Sequence, residues 1–395
     1  MNKKTEKKEK FIQICFCVTV ILIITVIGII TLTNNQTLSK KEGRELTTFP
    51  KITFKNLTKD EFYTNYTNAF ADQLAFREEL IKGYYLFSLQ RYVGDVIKGE
   101  ENQLFLSHQI IENEENYIKR LENVSKNEIS TVAKEVTSLG SKFIFLSIPR
   151  KDAVMTKYLP NTYIQGTDAY LKYVDIVKNN VSKNVEVIDA YDVFKNEVEK
   201  PYYITDHHMN IRGAYAIFET LVQKINLDGH NIKLKKLDEE YTIKKQVING
   251  SYNRKIGQSV NAGEEELNLI YNINDLQYTR LDNGIKTNTQ VLGEGNTYAE
   301  AYMGGDFAET VITTNNNNAP SILFVGSSYT NILEALSVGK FKTIVGIDYR
   351  DNNTGKSIAD YVKEYDIDYT VYICSQQTDA LSISSIKEHL GIKNK

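Results

Sequence analysis

Phe143-Ile144-Phe145-Leu146-Ser147-Ile148 is a nearly continuous apolar run that stops at Pro149, and Ile322-Leu323-Phe324-Val325 is another that stops at Gly326. A strand wet on one face alternates apolar and polar residues. A run without that alternation needs burial on both faces. Two such runs far apart in one chain demand a sheet covered by helices above and below. The surrounding periodicity agrees. Helices are predicted at 113–139 (ended by Gly140), 168–182, 214–225, 330–338, 356–365 and 383–390, and strands at 185–188, 343–347 and 369–374. Strands alternating with helices imply an α/β fold, a parallel sheet with helices on both faces. Residues 59–92 have the spacing of an amphipathic helix or helix pair, 103–106 that of a short strand. Residues 229–300 are polar, glycine-punctuated and poorly periodic, an irregular insertion with room for short hairpins.

Ahead of this domain lies a different kind of segment. Lys3, Lys4, Lys7, Lys8 and Lys10 precede Phe11–Leu32, which carries no charge. About 22 apolar residues suffice to cross a bilayer as a helix. Lysines on the near side place the N-terminus inside and the rest outside. The run is long for a signal-peptide core and no small-x-small cleavage site follows, so an uncleaved anchor is expected. The chain thus divides into a cytoplasmic basic segment (1–10), a transmembrane anchor (11–32), a linker and leading segment (33–58) and an α/β domain (59–395). Cys15 and Cys17 fall in the anchor and Cys374 alone lies beyond it, so no disulfide is expected within the outer portion. A net charge of -3 gives no support for nucleic-acid binding, which shows as a basic domain.

Ligand sites in open α/β sheets form beyond the carboxyl ends of the strands. Pro149–Lys151, Asp206–His208, Gly326–Ser328 and Asp348–Arg350 are predicted to converge there. The chain has 5 histidines, and two are adjacent in Thr205-Asp206-His207-His208. Serine needs a base to take its proton, and histidine needs a carboxylate to fix its tautomer. Ser328, His208 and Asp206 supply that set. Gly326 would let the chain turn after the strand, and Ser328 would open a helix whose N–H groups can hold an oxyanion. A zinc site at Asp206, His207 and His208 is the rival chemistry, but His108, His230 and His389 show no ligand spacing. No metal and no cofactor is expected. The bland alternatives are a helix cap for Asp206 and for Ser328.

At these residues the chain resembles the DHHW protein family, which is similar to the alginate O-acetyltransferase group of extracytoplasmic SGNH-hydrolase-like proteins. Thr205-Asp206-His207-His208 carries the resemblance, with Met209 where that family has tryptophan. Arg44-Glu45-Leu46 with Phe49-Pro50, Asp72-Gln73 with Phe76-Arg77, Pro149-x-Lys151, Gly304-Gly305-Asp306, Gly326-Ser327-Ser328-Tyr329 and Asp348-Tyr349-Arg350 extend it over most of the outer portion. Ser327 stands where Asp is usual. The resemblance implies an SGNH-hydrolase-like fold, with Ser328 as nucleophile and Asp206 and His208 as its partners. It assigns oxyanion or substrate contacts to Gly326, Gly304, Gly305, Lys151 and Arg350. It also implies a membrane-bound O-acyltransferase as acyl supplier and a polysaccharide as acceptor. The function expected is a membrane-anchored extracytoplasmic O-acyltransferase acting on a cell-surface or secreted glycan. A non-catalytic glycan- or partner-binding module, or a secreted esterase with the same triad, are the other readings the residues leave open.

Overall fold

The computed structural model describes residues 3–39, 41–90, 94–107, 114–273, 276–352 and 354–375. It contains two compact units, Met1–Val93 with Asn253–Ser259, and Gly94–Tyr252 with Val260–Lys395.

The first unit begins with helix α1 (Lys3–Thr33). Its Lys7–Thr33 stretch, 27 residues, is long and apolar enough to cross a membrane. Helices α2 (Asp60–Gln73) and α3 (Arg77–Gln90) follow. The 59–92 segment is therefore a pair, broken where Phe76 takes a left-handed φ of 59°, and it belongs with α1 rather than with the sheet. Here the leading segment finds its role. The Arg44 guanidinium grips Asp72 at 2.6 and 3.2 Å, and Asp72 also accepts the Thr47 N–H at 2.9 Å. The Arg44 hydrogen bond holds the Asp72 carboxyl down at about 2. The Gln73 side chain donates to the carbonyls of Gln36 and Thr47, both at 2.8 Å, and accepts the Gln36 N–H at 3.0 Å. Arg77 pairs with Glu42.

The second unit is built on strands β1 (Lys142–Ile148), β2 (Val185–Asp189), β3 (Tyr241–Val247), β4 (Glu264–Tyr271), β5 (Tyr278–Asp282), β6 (Ile285–Lys286), β7 (Glu309–Thr314), β8 (Ile322–Gly326), β9 (Thr343–Asp348) and β10 (Tyr369–Ser375). Eight of them form one sheet in the order β6-β5-β7-β9-β8-β10-β1-β2. From β9 to β2 neighbours run parallel. At the other end β7 pairs antiparallel with β9 and with β5, and β5 with β6. The parallel sheet expected from the sequence is present from β9 to β2, and antiparallel strands at its other end make the whole a mixed sheet. β5 and β6 from the insertion, with β7 beyond it, supply an antiparallel extension, a common addition to parallel sheets. Its threonines and charges, as in Glu309-Thr-Val-Ile-Thr-Thr, dilute the apolar signal that revealed the other strands. The remainder folds as the β3–β4 antiparallel pair.

Residues alternate between two cores, as the pleat requires. Ile144, Leu146, Phe324 and Ile373 face one core, with helices α7 (Ala190–Glu197), α8 (Ile211–Asn226) and α9 (Thr330–Ser337). Phe143, Phe145, Leu323 and Val325 face the other. That side is covered by α4 (Glu114–Asn123), which continues through a wide turn into α5 (Ser130–Ser138), and by α6 (Thr167–Asn180) and α10 (Ile358–Tyr365). Each fully buried aliphatic or aromatic side chain contributes about 1.5–3 kcal/mol. Helix α7 was not foreseen. The helix expected at 383–390 lies outside the described residues, as do His108 and His389. The parallel register carries the ends of β8, β9 and β10 to one edge, where Gly326 lies level with Asp348.

Candidate active site

Ser328 lies two residues beyond the end of β8. The Thr330 N–H donates to the Ser327 carbonyl at 2.9 Å and the Asn331 N–H to the Ser328 carbonyl at 3.3 Å, so the serine sits on the turn that becomes α9. Asp206 and His208 are not at a strand end, contrary to the sequence expectation. They lie on an irregular loop between α7 and α8, pinched by an isolated bridge between Tyr202 and Met209. Asn210 then caps α8 by accepting the Gly213 N–H at 3.0 Å.

The three side chains meet in series. Asp206 Oδ1 is 2.7 Å from His208 Nδ1, and His208 Nε2 is 2.8 Å from Ser328 Oγ. An ionised carboxylate only accepts, so Nδ1 donates to it. That leaves Nε2 as acceptor for the serine O–H, the tautomer a general base needs. All three residues are buried. Asp206 Oδ1 also accepts the His208 N–H at 2.9 Å, and Oδ2 accepts the Ser251 N–H at 2.6 Å. Burial alone would raise this carboxyl. The His207 and His208 charges and the His208 hydrogen bonds outweigh it and hold the group well below the usual carboxylate range.

His207 and His208 take different partners. His207 Nδ1 is 2.7 Å from Ser251 Oγ, and its backbone carbonyl accepts the Tyr329 hydroxyl at 3.0 Å. The His208 ring is sandwiched between two others. The His207 centroid is 3.8 Å away, and the Tyr298 ring lies parallel to it at 3.7 Å. Asp206, His207 and His208 also place one potential metal-ligand atom each within 4.8 Å of one another. His208 reaches that group through a ring whose Nδ1 already bonds Asp206 and whose Nε2 already bonds Ser328.

The five other residues assigned from the sequence divide by position. Gly304 and Gly305 follow Met303 in a run of positive φ (67°, 71° and 150°), a backbone that favours glycine. Asn331, in the first turn of α9, reaches this loop through Asp306 Oδ1 at 2.9 Å and brings it beside the helix that follows Ser328. Arg350 reaches it too. Its guanidinium binds Asp348 and touches Asp306 Oδ2 at 3.3 Å. Gly326 does not adopt a positive φ, so a sharp turn does not account for it. A Cβ there would come within 2.9 Å of Thr330 Cγ2 and 3.1 Å of Ile373 Cβ, so glycine is required by space. Lys151 is 2% exposed, and its ammonium donates to the carbonyls of Tyr203 and Ile204 at 2.6 and 2.7 Å. That geometry makes it a support of the Asp206 loop rather than a substrate contact. Glu265 completes the support by accepting the Ile204 N–H at 2.7 Å. Burial pushes the Lys151 ammonium down to about 7 and the Glu265 carboxyl up to about 7.

Four residues near the site escaped sequence reasoning: Ser251, Glu265, Tyr298 and Arg280. Tyr298 had a signal, because Thr297-x-x-Glu300 forms a capping box that starts a short helix inside the stretch read as irregular. Arg280 is fully buried. It pairs with Asp282 at 2.9 Å and donates to the Met303 carbonyl at 2.7 Å, just ahead of Gly304.

A serine, histidine and aspartate are thus joined at the rim of a helix-covered sheet, and the domain that holds them is SGNH hydrolase-like. The chain belongs to the family of the SGNH hydrolase-like domain of acetyltransferase AlgX, whose model matches residues 96–337, more than half of the sequence. Two solved structures share the fold. Bacillus cereus PatB1 aligns with a TM-score of 0.57 at 20% identity, over 72% of this chain and 96% of that one. A DHHW family protein from Eubacterium siraeum aligns with a TM-score of 0.53 at 18% identity, over 74% of this chain and 93% of that one. No curated protein sequence matches the chain.

Proposed function

We propose that the protein is a membrane-anchored extracytoplasmic O-acyltransferase that places acyl groups, acetyl above all, on a cell-surface or secreted polysaccharide. The observation that carries this reading is the hydrogen-bonded series from Ser328 through His208 to Asp206, within a domain of an acetyltransferase family. Ser328 Oγ attacks the acyl carbonyl while His208 Nε2 takes its proton. Asp206 steadies the resulting imidazolium through Nδ1–H. The tetrahedral oxyanion collapses, the imidazolium protonates the departing group, and the acyl group stays on Ser328. A glycan hydroxyl then enters, His208 removes its proton, and the ester passes to the glycan as Ser328 regains a hydrogen. Gly304 and Gly305, held beside α9 by Asn331, are assigned to the oxyanion. Arg350, tied to the same loop through Asp306, is assigned to its edge.

Residues 11–32 act as the anchor, with the N-terminus inside and the domain outside. There is no acetyl-CoA outside the cell, so a membrane-bound O-acyltransferase supplies the acyl group. The full chain, incubated with 4-nitrophenyl acetate, should acquire an acetyl group on the peptide containing Ser328, and Ser328→Ala should not. In cells that lack a paralogue, Ser328→Ala should strip O-acyl groups from one surface glycan without reducing its amount. Unchanged glycan acylation in that strain would leave a binding module as the better reading.

A further inference from the structure

Helix α3 turns an uncharged face outward. Phe76 just before it and Leu80, Tyr84 and Phe87 within it are spaced by four, four and three residues, the repeat of one helical stripe. Their exposures are 61%, 57%, 58% and 56%. The opposite side, with Ser88 and Leu89, is buried. A helix that hides one face and leaves aromatic residues on the other presents a surface for a partner.

The hydrogen bonds of the same unit identify the partner. The apolar run ends at Leu32, and about 22 residues at 1.5 Å each span about 33 Å, the thickness of a bilayer's hydrocarbon core with little to spare. Thr31 therefore lies at the depth of the outer interface when α1 spans the membrane. Thr31 Oγ1 accepts the Ala75 N–H at 3.0 Å, and Asn34 Nδ2 donates to the Gln73 carbonyl at 3.2 Å. The turn between α2 and α3 is thus fixed at the level where lipid meets water, and the stripe starts one residue later, at Phe76. Tyrosine and phenylalanine are the residues that settle at that level.

We infer that the Phe76–Leu80–Tyr84–Phe87 face of α3 lies in the interfacial layer of the same membrane that α1 crosses, as a second and peripheral point of attachment. The inference rests on the anchor reading of α1. With both contacts made, the first unit is held to the membrane at two points instead of one.

The chain contains no tryptophan, so one introduced tryptophan reports a single position. Full-length Tyr84→Trp and Phe87→Trp would each be reconstituted in vesicles of phosphatidylcholine and phosphatidylglycerol, with and without bromine on the acyl chains near the headgroup. Phe16→Trp in α1 is the membrane reference, and Leu227→Trp, exposed on the other unit, the aqueous one. Both stripe variants should lose about half of their emission on brominated lipid, as an interfacial ring in contact with acyl chains does. If Phe16→Trp is quenched and both stripe positions behave like Leu227→Trp, the inference is overturned while the anchor stands. Blue-shifted stripe emission without quenching means protein covers the face, which also overturns it. If Phe16→Trp is not quenched either, the anchor reading fails, and the inference with it.

Discussion

Glu334 is a carboxyl group in the wrong place for a charge, and replacing it with glutamine tests how the helix that carries Ser328 is built. It lies within α9, six residues beyond Ser328, and is 3% exposed. Gly346 on β9 makes room for it, since a Cβ there would come within 2.3 Å of the carboxylate atoms. Burial raises this carboxyl from an ordinary 4.5 to about 7, against the lowering effects of the Thr330 hydrogen bond and the Arg280 charge. A folded-state value above the unfolded one means that the folded protein holds the proton more tightly. The associated stability is fully present below about pH 4.5 and is lost as the pH rises to about 7. The displacement of roughly 2.5 pH units corresponds to about 3 kcal/mol at pH 8. Full burial leaves no solvent screening to discount. Glu334→Gln keeps the shape and removes the titration. Thermal unfolding of the full chain in detergent should give matching midpoints for the two proteins at pH 4.5. The variant should pull ahead by several degrees between pH 6 and 8. Parallel curves, or a variant less stable at pH 8, would refute the claim that burial raises the Glu334 carboxyl within the helix that follows Ser328.

Three further outcomes are expected. Asp206→Asn should lower turnover of an activated ester by about 10⁴-fold, because the amide offers the histidine the wrong tautomer. His208→Ala should reduce the same activity to the level of Ser328→Ala, and His207→Ala should cost less; a larger loss at His207 would exchange their roles. Lys151→Met should destabilise the fold by about 3–5 kcal/mol, since it takes the donor from the Tyr203 carbonyl, leaves the Ile204 carbonyl with the Leu104 N–H alone and leaves Glu265 buried without its cation. Adding Glu265→Gln should return part of that loss, read from unfolding midpoints.

The part of the fold legible in the sequence is the part held by unbroken apolar runs. β1, β8, β9 and β10 are central strands whose both faces are buried, and their residues show it. β7 is also buried over most of its length, yet three of its six residues are threonine and one is glutamate. Those hydroxyls bond locally, as Thr310 does to Asp282 at 3.0 Å and Thr314 to the Phe341 carbonyl at 2.7 Å. Apolar counting has no access to polar groups satisfied by such partners. The same limit explains the site. Ser328 was legible because a glycine and a serine at the end of a buried strand have few structural uses together. Asp206 and His208 were legible as a pair of chemical types, but their location was misjudged. The loop that carries them is set by bonds to Lys151, Glu265 and Ser251, residues 50 or so positions away in either direction, which leave no local pattern.

Those distant bonds share one design. The site rests on two stretches of irregular backbone, the 202–208 loop and the turn at Met303–Gly305. Buried carbonyls must still be paired. In the first stretch Lys151 supplies two donors to consecutive carbonyls, its ammonium 5.2 Å from the Phe105 ring. In the second, Arg280 reaches the carbonyls of Thr289, Gln290 and Met303 at 3.4, 3.3 and 2.7 Å while Asp282 balances its charge. A long cation serves here because one head group carries several donors to carbonyls on irregular backbone. Arginine suits the second stretch better, since three carbonyls from separate positions need a fixed fork rather than a rotating ammonium. Neither cation needs to touch substrate to matter. The 2.8 Å approach of His208 to Ser328 joins two elements 120 residues apart. Its precision depends on the loop that Lys151 holds, and the position of Gly304 depends on the carbonyl that Arg280 holds. Buried charge near this site therefore reads as the means of fixing the irregular backbone that carries Asp206, His208 and Gly304.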